Sequence, residues 1–72
     1  MLLNKKEIGK RLIELRGDLK REVVAAENNI SVSALTMYET GQRIPRDEIK
    51  VYLAKYYNTS VGKLFYAEWC HE

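Results

Sequence analysis

The side chains with the sharpest intrinsic chemistry are Cys70 and His71, adjacent in "WCHE" at positions 69–72. A thiol and an imidazole together suggest a nucleophile and its base. Neighbours on a helix point about 100° apart, however, and no third group stands near to orient the imidazole. A zinc site needs about four ligands at characteristic spacing, and "WCHE" offers too few. The carboxylates are scattered, and no glycine-rich phosphate loop exists. These residues argue against an enzyme and imply neither metal nor cofactor. What remains is the chemistry of cations. Lys5, Lys6, Lys10, Arg11, Arg16, Lys20 and Arg21 fill the first third, and Arg43 and Arg46 flank the only proline. Between these groups lies "ISVSALTMY" (30–38), without a charge, in a chain where 31% of residues are charged. A net charge of +2 is weak evidence alone; the distribution is the stronger signal.

The elements that must position these groups are helices. The chain has 72 residues, enough for one domain. A domain of this size buries only ~60% of its unfolded surface and is marginal without help. One cysteine excludes an internal disulfide framework, and a reducing, cytoplasmic setting fits. No apolar run approaches the ~20 residues of a membrane span, and "MLLNKKEIGK" does not read as a signal peptide.

Gly17-Asp18, Asn28-Asn29, Gly41, Pro45 and Asn58 cut the chain into five pieces of helical length. Asn4 with Glu7 three residues on forms a capping-box pattern, so a first helix spans roughly 4–16, with Ile8, Leu12 and Leu15 inward. A second spans Arg21 to Asn28, with Val24 and Ala25 inward and Asn29 in the left-handed conformation that closes it. Ser31 caps a third, roughly 32–40, with Leu35 and Tyr38 inward. A fourth runs from Arg46 to Tyr57, its Asp47 and Glu48 suiting the first turn. Ser60 caps a fifth with a stripe of Val61, Leu64 and Phe65; the tail at 67–72 either frays or extends that stripe to Trp69. No period-two alternation supports a strand. The expected class is all-α, a compact five-helix domain. Lys5, Lys6, Lys10 and Arg11 read as a solvated face, and Tyr52, Tyr56 and Tyr57 as core. "RGD" at 16–18 reads as a helix end.

Two short helices joined by a tight turn describe a helix-turn-helix. Ala25 is small enough for the crossing, Asn29 tolerates positive φ, and Val24, Ile30, Leu35 and Tyr38 plug the junction. At this point the chain resembles the Cro/Xre-like phage-repressor family. The residues that carry the resemblance are "IGKRLIELRGDL" (8–19), "REVVAAENNISVSALTMYETGQRIPRDEIK" (21–50) and "LAKYYNTSVGKLF" (53–65). The resemblance implies a lambda-repressor-like fold that binds operator DNA through its third helix. It implies that Ser31, Val32, Ser33, Thr36 and Met37 face the major groove. It implies that Arg21, Thr40, Gln42 and Arg43 meet the backbone, and that Arg16 pairs with Glu39. Lys20 and Arg46 join the phosphate set by charge and position. Asn28 departs from the usual Leu, Asn29 from the usual Gly and Thr40 from the usual Asn. A buried Asn28 must find backbone partners, or its helix must end early and turn it outward.

On this reading phosphate contacts supply affinity and base edges supply information. Ser33 and Thr36 can hydrogen-bond to base edges, while Val32 and Met37 can pack on thymine methyls. No Arg, Gln or Asn projects from the third helix, so direct readout is modest and shape or water assists. The expected function is a sequence-specific DNA-binding regulator, a repressor, acting as a homodimer through Val61, Leu64, Phe65, Tyr66 and Trp69. The alternative is a protein-interaction module on the same fold, such as an antitoxin or anti-repressor partner. No small-molecule site is legible.

Overall fold

The chain enters its first helix through Asn4, whose side chain accepts hydrogen bonds from the amides of Lys6 and Glu7, both at 3.1 Å. In the computed structural model, which describes residues 4–66, α1 spans Lys5–Arg16. Gly17, at φ +56°, returns its amide to the Ile13 carbonyl and ends it. Ile8 and Leu12 are fully buried, as the periodicity predicts. Leu15 is not: it is 39% exposed. It has the right angle on the helix, but Ile13, Glu14 and Leu15 are all exposed, so the last turn of α1 runs past the core.

Helix α2 spans Arg21–Glu27, and α3 spans Val32–Glu39. Between them Asn29 takes φ +57°, and the Ile30 amide donates to the Ala25 carbonyl at 3.0 Å. The Ser31 hydroxyl caps α3 by accepting from the Ala34 amide at 3.0 Å. Asn28 is buried and finds the backbone partner it needs: its Nδ2 donates to the Val24 carbonyl at 2.8 Å. Helix α2 stops one residue before it, so Asn28 serves as a cap. Thr40 plays the same part after α3, and Gly41 follows at φ +78°.

Helix α4 spans Asp47–Tyr56, with Asn58 at φ +58° just beyond. The fifth element, α5, is a π-helical turn, Gly62–Tyr66. Ser60 supports it as read from the sequence, its hydroxyl accepting from the Lys63 amide at 3.1 Å. The described residues are all helix and connecting turn, without a strand. No helix among them is long and apolar enough to cross a membrane.

One core joins Ile8, Leu12, Tyr38, Ile49, Leu53, Ala54, Leu64 and Phe65; a smaller one joins Val24, Ala25 and Leu35 under α2. Ile30 and Tyr57 touch both. Three expectations change here. Leu64 and Phe65 are completely enclosed within a single chain, so they cannot form a dimer surface. Val61 is half-buried against the same core, Tyr66 is exposed, and Trp69 lies outside the described residues. Arg11 is no solvated cation either: its Nη1 donates to the Leu64 carbonyl at 2.7 Å and holds α5 to α1. Tyr52, expected in the core, is half exposed, while Tyr56 and Tyr57 pack edge to face.

The tightest seam lies between α1 and the end of α3. A Cβ on Gly9 would press into the Glu39 carbonyl oxygen and lie 3.0 Å from that of Tyr38. A Cβ on Gly41 would lie 3.2 Å from the Lys6 Cα. Both glycines therefore let α1 rest on the C-terminal end of α3, which sets the position of that helix.

Candidate nucleic-acid interface

Burying Leu35 and Tyr38 turns the opposite side of α3 outward. Ser31, Val32 and Ser33 are exposed; Thr36 and Met37 are half-buried beside them. All five residues expected to read bases thus lie on one accessible ridge. Their hydroxyls are not equally available. Ser31 Oγ already accepts from the Ala34 amide, which leaves its proton to donate. Thr36 Oγ1 donates to the Val32 carbonyl at 2.8 Å, which leaves its lone pairs to accept. Ser33 has no side-chain hydrogen bond among the described residues, so it can act in either sense.

The set expected to meet the DNA backbone divides in a way the sequence does not indicate. Lys20, Arg43 and Arg46 are exposed and outside any ion pair among the described residues. Thr40 and Gln42 are exposed but tied together: Gln42 Nε2 donates to Thr40 Oγ1 at 3.1 Å, and Thr40 Oγ1 donates to the Thr36 carbonyl at 2.8 Å. Arg21 has a second commitment. Its Nε donates to Glu39 Oε1 at 2.8 Å, while Arg16 Nε donates to Glu39 Oε2 at 2.7 Å.

The expected Arg16–Glu39 pair is therefore a triad. The Glu39 side chain is fully enclosed, and an ionised carboxylate in that place requires charged partners. Two guanidiniums meet the need and leave a net charge of +1. The Glu39 hydrogen bond, against the opposing effect of burial, raises the Arg16 pKa further above its ordinary range. Arg16 Nη1 also donates to the Leu19 carbonyl at 2.8 Å, bracing the α1–α2 link. Tyr57 lies close enough to feel these charges. Burial first, and then the negative charge of Glu39, push its phenol up to about 12. The outcome for the surface is simple. The single acid of α3 is hidden beneath two arginines, and the ridge presents no negative charge.

Comparison with models of known protein families, with curated proteins and with solved structures finds no match to this chain. Its chemistry must be read from its own residues. Among those described, no cluster of His, Cys, Asp and Glu could hold a metal ion; Cys70 and His71 lie outside them. An open groove of about 420 Å³ lies elsewhere, lined by Glu27, Asn28, Asn29, Tyr52, Lys55 and Tyr56. It shares no residue with the α3 ridge.

Gly9 and the second role of Arg21 were not legible beforehand. A lone glycine inside a helical pattern was the available signal for Gly9, since such a residue often marks close packing. Nothing in the spacing of Arg21 separates an inward turn toward Glu39 from an outward one.

Proposed function

We propose that this chain is a sequence-specific double-stranded DNA-binding regulator, acting as a repressor, in which α2 and α3 form a helix-turn-helix on a lambda-repressor-like fold. The observation that carries the reading is the neutral ridge of Ser31, Val32, Ser33, Thr36 and Met37, with Glu39 covered and with Lys20, Arg43 and Arg46 exposed at the start of α2, just after α3 and at the start of α4. A ridge free of acids can approach the floor of the major groove without repelling phosphates. Cations beside it neutralise those phosphates and release counterions, which supplies affinity for any sequence. Ser33, with both donor and acceptor capacity, and Met37 and Val32, with apolar surface, supply discrimination. The guanidinium nitrogens of Arg21 not bound to Glu39 can still meet a phosphate, so this arginine serves both fold and ligand.

The test is a titration of labelled duplexes at several salt concentrations. Three or four neutralised phosphates give a logarithmic slope of about −3, so affinity falls ~40- to 150-fold between 50 and 200 mM salt. A duplex affinity indifferent to salt, or no duplex retained at low ionic strength, would overturn the reading. It would favour a protein partner for the same ridge.

A further inference from the structure

Helix α4 has two faces. Ile49, Lys50, Leu53 and Ala54 are buried against the core. Glu48, Val51, Tyr52 and Lys55 are exposed. Their spacing of i, i+3, i+4 and i+7 gathers these four into one stripe about 100° wide. Its centre is apolar: Tyr52 is 50% exposed, Val51 41%. Its ends carry opposite charges that find no ion pair among the described residues. The other charges of the helix's first turns, Asp47 and Lys50, meet within the chain: Lys50 Nζ lies 3.6 Å from Asp47 and donates to the Tyr66 hydroxyl at 2.9 Å.

The stripe reads the same from either end once charge is inverted. Positions 48 and 55, and positions 51 and 52, share one midpoint. Lay a second α4 antiparallel across the first, centred there. Glu48 then meets Lys55 of the second copy, and Val51 meets Tyr52 of the second copy. Each contact occurs twice, as a two-fold axis requires. Parallel pairing would set like charges together, so the charges select the antiparallel arrangement. The open groove beside the stripe shares Tyr52 and Lys55 with it and gives the facing side chains a recess.

We propose that the outer face of α4 pairs two copies of this chain antiparallel, about a two-fold axis between residues 51 and 52. A single pair of short helices buries less than the ~1,600 Å² of a standard stable interface, so the dimer is weak and concentration-dependent. The proposal stands apart from the DNA reading, because the α3 ridge contributes nothing to it.

The experiment is sedimentation of the full chain over a wide concentration range, with circular dichroism confirming that each variant is folded. The wild-type chain shows a monomer–dimer equilibrium. Glu48→Lys and Lys55→Glu each turn two attractive pairs into two repulsive ones and weaken association ~10-fold or more. An equimolar mixture of these two variants restores it, because only the mixed pair is complementary. The double variant Glu48→Lys/Lys55→Glu restores it alone. Tyr52→Ala weakens it without touching the charges. A wild-type chain monomeric throughout, a dimer indifferent to either charge reversal or to Tyr52→Ala, or a mixture that stays monomeric would each overturn the proposal.

Discussion

Replacing Gly9 by Ala adds one methyl group at the seam that seats α3. At an ordinary helix position this change stabilises by about 1 kcal/mol, because alanine is the better helix former. Here the new carbon would overlap the Glu39 carbonyl oxygen and lie 2.9 Å from the carbonyl carbon. Both atoms belong to the backbone of α3 and cannot swing aside, so α1 must move away as a body. Overpacking of this kind costs typically ~1–3 kcal/mol, and a rigid backbone obstacle puts it at the upper end. Subtracting the helix-propensity gain leaves a loss of about 2 kcal/mol. For a domain of this size that lowers Tm by roughly 8–16 °C. Thermal unfolding followed by circular dichroism measures it. Gly62→Ala is the control, since its Cβ would meet only the Ser60 hydroxyl at 3.9 Å, and its Tm stays near the wild-type value. If Gly9→Ala melts at or above the wild-type temperature, α1 does not rest on the end of α3 as described.

Two further outcomes follow from the charges. On the proposed reading Arg43, exposed and outside any ion pair among the described residues, meets phosphate only. Arg43→Ala therefore weakens binding to all duplexes alike and reduces the salt slope by about 1; an unchanged slope in the same titration would remove it from the phosphate set. The second concerns Tyr57, whose buried hydroxyl has no hydrogen-bond partner among the described residues and whose phenol is pushed up to about 12. Between pH ~10 and ~12 the unfolded chain loses this proton while the folded chain keeps it, so stability falls as pH rises through that window. Tyr57→Phe removes that component and costs nothing at neutral pH. Denaturant melts at pH 7 and across pH 10–12 check both statements; a clear loss at pH 7, or an undiminished alkaline loss, would refute them.

The helix ends were the most legible part of the fold. Asn4, Ser31 and Ser60 accept the amide bonds their positions predicted, and Asn29, Gly41 and Asn58 take positive φ. These features are local, and local chemistry determines them. Leu15, Tyr52, Leu64 and Phe65 were misplaced for one shared reason. Periodicity gives the face of a helix but not how far the core extends along it, nor which of two apolar stripes the rest of the chain covers. Arg11 leaves its expected solvated face, and Arg21 gains a partner beyond its expected phosphate, because a long cation can turn inward to a carbonyl or carboxylate many residues away. Their partners, Leu64 and Glu39, lie 53 and 18 positions distant. The ridge itself was legible, because burying Leu35 and Tyr38 leaves Val32, Ser33 and Met37 only the outside.

The most direct test of the DNA-reading account is selection of duplexes from a random pool by the wild-type chain and by Ser33→Ala and Met37→Ala. The account predicts an enriched consensus for the wild type and a changed preference at one or two base positions for each variant, with affinity for random duplex nearly intact. An identical consensus from all three proteins would contradict the claim that α3 reads the groove, as would failure of the wild type to enrich any sequence.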